Sequence, residues 1–188
     1  MDTKARIIET ATALFQQKGY KGVGLNEILK ECKITKGSLY HHFPNGKEEL
    51  LLACLQSMKE TITTEVEDIY KEIPNALEAT KKMIDRLVSE YDREGTIAGY
   101  TFSSMVSEMA SLNEPVRNAC SSLYKKIQEI LSNRLIEDGF SKGKADSLAL
   151  AVIACIEGAL MLCLTQQSSE PLIIVSQVLP NLWTEKSY

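Results

Sequence analysis

From Ile7 to Trp183 the apolar residues recur at intervals of three and four, and no sustained period-two alternation appears. That spacing limits the possible folds more than any other feature. A 3.6-residue repeat lines one face of a helix, whereas a strand needs alternate positions. The chain therefore reads as all-α, with about nine helices. Ile7, Ile8, Ala11, Leu14 and Phe15 form a first stripe, and the glycine of "KGY" stops it. Leu25, Ile28, Leu29 and Cys32 form a second, shorter one. Thr35 is placed to cap a third helix whose body is Lys36 to His42. "FPNG", Phe43–Gly46, is a strong break. Lys47 then opens a long helix with Leu51, Leu55, Met58, Ile62 and Ile69 on one side, ending at or just before Pro74. Further helices are expected near Asn75–Tyr91, Thr101–Ala110, Glu114–Ile136, Lys144–Gln166 and Glu170–Trp183. Pro115 and Pro171 suit first turns, and Pro180 should kink or shorten the last helix. Small helices precede Lys47–Leu55 and longer ones follow, which divides the chain into residues 1–47 and 48–188.

Composition removes several classes. Cys32, Cys54, Cys120, Cys155 and Cys163 are odd in number, scattered and never spaced as C-x-x-C, which argues against a disulfide framework or a zinc site and fits a cytoplasmic protein. The start "MDTKARIIETA" is polar-interrupted and reads as no signal peptide. The most apolar stretch, Leu148–Leu164, carries Glu157 and Gly158 at its middle and reads as a buried helix, so no membrane partner is expected. The net charge is −4, yet residues 1–50 hold eight Lys/Arg against six Asp/Glu. A local field governs phosphate binding, so the acidic total does not exclude nucleic acid.

The stretch "KITKGSLYHHFPNGKEEL" holds both histidines of the chain. His41 and His42 are adjacent, so on a helix they point about 100° apart and do not share a metal ion. No H-E-x-x-H, G-x-S-x-G or nucleophile–base pair accompanies them. "GFSKGK" has too few residues for a phosphate loop and Ala145 replaces the needed hydroxyl. No catalytic residue, metal or cofactor is expected, and the chain does not read as an enzyme. A docking surface explains the stretch better. Two short helices around a tight turn make a helix-turn-helix, with Leu25, Ile28, Leu29, Ile34 and Leu39 inside. Thr35, Lys36, Gly37, Ser38, Tyr40 and His41 are left on the outside, and Asn26 and Lys47 flank them. Hydroxyls, amides and cations of this kind contact phosphates and bases. A merely solvated polar face is the competing reading.

Gly19–Leu50 closely resembles the N-terminal helix-turn-helix of TetR-family transcriptional repressors. I-x-x-A-x-x-L-F-x-x-x-G-Y matches at Ile8, Ala11, Leu14, Phe15, Gly19 and Tyr20. K-G-x-L-Y-x-H-F matches at Lys36, Gly37, Leu39, Tyr40, His42 and Phe43, and K-E-E-L at Lys47–Leu50. The extra residue in "FPNGKEEL" and the later layout resemble the LmrA/YxaF-like branch. Three positions depart from the common pattern. Gly24 replaces a capping Ser/Thr, Lys33 the turn glycine and Leu29 a small alanine.

The resemblance implies a three-helix DNA-binding domain followed by a larger helical domain for ligand binding and dimerisation. It implies a homodimer on a near-palindromic double-stranded operator, released by a small-molecule inducer, and in this branch the inducers resemble flavonoids. The last two helices are apolar on nearly all sides, so Val152, Ile156, Leu160, Val175, Leu179, Leu182 and Trp183 are the expected dimer surface, against a purely intrachain core. Tyr91, Tyr100, Phe102, Met105, Met109, Tyr124, Ile127, Glu157 and Met161 are the candidate ligand contacts. A ligand-binding helical dimer that has lost DNA binding is the alternative, supported by Gly24 and Lys33. The helix from Lys47 to Tyr70 is the expected lever between module and pocket.

Overall fold

A computed structural model describes residues 2–95 and 114–183. Among them are eight α-helices and one 3-10 turn, and no strand. The helices are α1 Thr3–Gly22, α2 Leu25–Cys32, α3 Lys36–His42, α4 Lys47–Glu72, α5 Ala76–Glu94, α6 Glu114–Glu137, α7 Lys142–Gln166 and α8 Glu170–Val178, and the 3-10 turn is Leu179–Trp183. The helix expected at Thr101–Ala110 lies outside the described residues. Two compact units result. Of the described residues, the first takes 2–61 with 114–121, and the second 62–95 with 122–183.

In the first unit, α1 and α2 pack together. Ile7, Ala11, Phe15, Ile28, Leu39 and Phe43 are buried almost completely, joined by Leu50, Leu51, Cys54 and Leu55 of α4. Each Ile, Leu or Phe among them contributes on the order of 1.5–3 kcal/mol by leaving water. The unit runs past the expected division at Lys47 because the first turns of α4 are themselves part of this core. Burial pushes the Cys54 thiol up to about 12, and its Sγ lies 3.5 Å from the Ile8 carbonyl oxygen.

Local signals explain how the short helices start and stop. Thr35 Oγ1 accepts from the Ser38 amide at 3.2 Å, capping α3. Gly24 begins α2 with no side-chain cap, so that helix lacks the bond a serine would supply. Lys33 ends α2 in the left-handed region, φ 53° and ψ 46°, and its amide reaches the Leu29 and Lys30 carbonyls. A lysine there holds a conformation that costs L-residues roughly 1–2 kcal/mol.

The second unit is built on α5, α7 and α8, with α8 packed on both others. Its core contains Ile84, Leu135, Phe140, Ala149, Val152, Leu160, Cys163 and Leu172. Asn75 Oδ1 caps α5 through the Glu78 amide at 2.9 Å. Tyr70 and Thr80 share a buried hydroxyl contact of 2.6 Å, and burial pushes the Tyr70 phenol upward. Arg134 of α6 donates to the Ile73 carbonyl at 3.2 Å and to the Pro74 carbonyl. Asp138 accepts from the Ala76 amide at 2.6 Å. The last turn of α6 and the residue after it thus satisfy both sides of the α4–α5 corner. Pro180 shortens the last helix as the sequence suggests: α8 stops at Val178 and the chain continues as a 3-10 turn.

By length and composition α7 could cross a membrane, with mean hydropathy 2.3. Its buried face, however, packs into the core through Leu148, Val152, Ile156 and Leu160.

Two variants test this account. Leu39→Ala should lower unfolding free energy by about 2–5 kcal/mol in urea titrations, as a cavity in a closed core does. Lys33→Gly should raise the midpoint, by up to about 1 kcal/mol in free energy, because glycine adopts the left-handed turn without strain. A midpoint unchanged or lowered by Lys33→Gly would contradict the strain assigned to that turn.

Candidate functional site

The outer face of α3 follows from what α3 buries. Leu39 and Phe43, four residues apart, point inward with 0% and 1% exposure. A helix so anchored turns Lys36, Gly37, Tyr40 and His41 to solvent, with Ser38 half-buried at the edge. Thr35 just before it and Asn26 on α2 are exposed too. The Tyr40 ring lies 5.7 Å from Lys36 Nζ. On its other side it lies against Gly46, where a β-carbon would sit 3.5 Å from the Tyr40 ring edge and hydroxyl. Gly46 has φ 67°, so the Pro-Asn-Gly turn needs glycine for its backbone, while a β-carbon there would meet Tyr40 only at ordinary contact distance.

His41 and His42 stand edge to face with centroids 5.1 Å apart, and His42 continues towards Phe43 at 6.4 Å. Among the described residues no group of three or more His, Cys, Asp or Glu side chains is arranged to hold a metal.

Lys47 differs from the other seven. Its ammonium donates to the Tyr20 carbonyl at 2.5 Å and sits 3.9 Å from the centroid of the Tyr20 ring. It is half-buried and ties the start of α4 to the end of α1. Lys4, which the sequence did not single out, lies 5.8 Å over the Phe43 ring. Only the fold brings residues so distant in sequence together.

The second unit holds a cavity between α4, α5, α6 and α7 that opens to solvent. Its walls are mostly apolar: Ile62, Val66, Ile69, Met83, Leu87, Leu123, Ile127, Ile153, Ile156 and Leu160. The polar groups are Glu65, Arg86, Glu90, Tyr124 and Glu157. Arg86 and Glu65 pair at 3.0 Å with about half of each side chain in water, so that pair adds little stability.

Of the expected ligand contacts, Tyr124, Ile127 and Glu157 line this cavity. Tyr91 does not. It is buried in the core and its hydroxyl donates to the Cys163 carbonyl at 2.9 Å. Met161 does not either; it is 46% exposed. Tyr100, Phe102, Met105 and Met109 lie outside the described residues. The α5 face Met83, Arg86, Leu87 and Glu90 was missed, although its three- and four-residue spacing marks one side of a helix.

The expected dimer residues fall in different environments. Val152, Ile156, Leu160 and Leu179 are buried within this chain. Val175 and Trp183 are half-buried, and Leu182 is exposed. The outward apolar positions are instead Leu150, Met161 and Leu162 on α7 and Ile173, Ile174 and Val178 on α8. A helix apolar on every side does not reveal which stripe its own core takes.

Comparison with known proteins adds a second line of argument. Residues 7–54 match the family model of bacterial regulatory proteins of the tetR family. Residues 76–178 match the model of the C-terminal domain of LmrA/YxaF-like transcriptional regulators. The chain is 34% identical to the uncharacterized HTH-type transcriptional regulator YxaF of Bacillus subtilis (strain 168), over 98% of this chain and 97% of that one. It is 35% identical to the HTH-type transcriptional regulator LmrA of the same organism, over 96% of each. Its fold is similar to that of E. coli NemR in the reduced form, with a TM-score of 0.87, 24% identity and full coverage of both chains. A TetR transcriptional regulator from Legionella pneumophila has a TM-score of 0.82 and 27% identity, over 96% of this chain and 97% of that one.

The Lys47 geometry gives a further prediction. Lys47→Ala should cost about 1–3 kcal/mol of stability in urea titrations, the range for losing a hydrogen bond made by a charged group. A side chain that merely reached into solvent would lose almost nothing.

Proposed function

Since the chain belongs to the TetR family of bacterial transcriptional regulators, with a C-terminal domain of the LmrA/YxaF-like type, we propose that it is a ligand-responsive repressor acting in the cytoplasm. It binds a near-palindromic operator as a homodimer and leaves it when a small aromatic molecule occupies the cavity of the second unit. The family is one of regulators and not of enzymes. The observation that carries the reading is the exposed face of α3, held rigid by the buried Leu39 and Phe43.

In this reading DNA contact falls to residues 1–47 and effector binding and dimerisation to residues 48–188. Lys36 and His41 supply donors to phosphates or bases, with Tyr40, Ser38, Thr35 and Asn26 adding hydroxyl and amide contacts along the same side. Gly37 lets the backbone approach. Lys47 acts on DNA as a positioning residue, through its hold on Tyr20. The homodimer forms through the outward stripes of α7 and α8, including Leu150, Met161, Ile174 and Val178. A flat molecule of flavonoid shape suits the apolar slot, with Tyr124 and Glu157 to orient it.

Two such modules related by a twofold reach successive major-groove faces and read inverted half-sites. Effector and operator are linked thermodynamically, so the effector must bind the DNA-released arrangement more tightly. A hundredfold release needs about 2.7 kcal/mol of coupling. The α4 helix, which starts in the first unit and ends among the cavity residues Ile62, Glu65, Val66 and Ile69, is the proposed lever.

The test is a titration of labelled operator by the full-length protein, followed by fluorescence anisotropy with and without saturating aromatic effector. Operator affinity should fall by about a hundredfold or more, as that coupling requires. An affinity untouched by an effector shown to be bound would reject the mechanism.

A further inference from the structure

Helix α2 starts without a capping side chain. Gly24 is its N-cap, with φ −84° and ψ 151°, an extended conformation open to any residue. A β-carbon there would meet no described atom within 4 Å, so crowding does not call for glycine. Three residues on, Glu27 carries a carboxylate that accepts from the Gly24 amide. That contact is one half of a capping box, the half supplied by the acid. The Lys18 ammonium reaches across from α1 and donates to Oε1 of the same carboxylate. Lys18, and to a lesser degree the Gly24 amide, hold the Glu27 carboxyl below the usual carboxylate range. The Lys18 and Glu27 side chains are 49% and 34% exposed, so their ion pair by itself adds little. The backbone amide is the partner that decides how α2 starts, because the first amides of a helix find no acceptor within it.

We propose that Glu27 is a positioning residue for DNA binding, closing the first turn of α2 in place of the missing cap. The helix has only eight residues, so a frayed first turn removes nearly half of it. Asn26, one of the proposed DNA contacts, lies in that turn, and the buried Ile28 anchors the helix just beyond it. A module whose first turn is open presents Asn26 wrongly, and apparent affinity falls with the fraction that is competent. Both modules of a dimer must be ordered at once, so a loss of about threefold in each becomes about ninefold in the pair. The proposal rests on reading the first unit as the DNA-binding module, and it adds the group that keeps the start of α2 in shape.

The experiment makes two measurements on the full-length protein. One is amide hydrogen exchange at Leu25–Ile28 without DNA. The other is anisotropy of the labelled duplex that the wild type enriches from random DNA. Glu27→Ala should speed exchange at those amides by about threefold or more and weaken duplex affinity by about tenfold. Glu27→Gln keeps an oxygen for the Gly24 amide and should lose no more than about twofold. Lys18→Ala removes only the exposed ion pair and should also lose no more than about twofold. Gly24→Ser has room for its side chain and supplies a cap of its own. Added to Glu27→Ala, it should return affinity to within about twofold of the wild type and slow the exchange again. Circular dichroism checks that the variants fold. A glutamate that served global stability alone would lower the urea midpoint and leave the affinity of the folded protein as it was. Unchanged exchange in Glu27→Ala, a loss that Gly24→Ser does not rescue, or a loss in Lys18→Ala equal to that in Glu27→Ala would overturn the proposal and leave the repressor reading intact. A wild type that enriches no duplex would overturn the DNA role together with that reading, and the exchange measurement, which needs no DNA, tells the two failures apart.

Discussion

Burial of Leu39 and Phe43 is the constraint on which the proposed function depends. Both side chains lie almost wholly out of water, Leu39 on the inner side of a helix only seven residues long and Phe43 at its C-terminal cap. A helix that short has little stability of its own. Packing fixes its orientation, and the outward direction of Lys36, Tyr40 and His41 follows from that orientation. The flanking backbone works to the same end. Lys33 holds a left-handed turn before α3, Thr35 caps its start, and Gly46 turns the chain sharply enough for Tyr40 to rest upon it. The exposed face of α3 is therefore a product of core packing and turn chemistry, with its polar residues displayed by that frame.

The same division between a rigid frame and the groups it displays recurs in the second unit. Arg134 and Asp138 satisfy backbone groups on either side of the α4–α5 corner. That corner joins two of the four helices that wall the cavity. Tyr91 serves the frame as well, through its bond to the Cys163 carbonyl. The cavity itself is walled largely by apolar side chains.

Much of this was legible in the sequence wherever the signal is local. The helical repeat, the Thr35 cap, the long helix from Lys47 and the shortening at Pro180 each depend on residues a few positions apart. The family itself was legible from the Ile8–Tyr20 and Lys36–Phe43 motifs. What depended on residues distant in the chain was not. Lys47 reads as a surface cation until the fold brings Tyr20, twenty-seven residues earlier, beneath its ammonium. Helix α7 is apolar on every side, so its periodicity could not assign Val152 and Leu160 to the interior or Leu150 and Met161 to the surface. The α5 contribution to the cavity was missed because Met83, Arg86, Leu87 and Glu90 look like any amphipathic helix at its solvent boundary.

The central claim is that α3, held by its buried leucine and phenylalanine, reads duplex DNA twice per dimer. Selection of bound sequences from random duplex DNA by the purified full-length protein tests it most directly, with binding followed as ionic strength is raised. The account predicts enrichment of an inverted repeat, its half-sites separated by about one helical turn or a multiple of it, and affinity that falls steeply with salt. Failure to enrich any duplex at low ionic strength, from material shown to be folded, would contradict it.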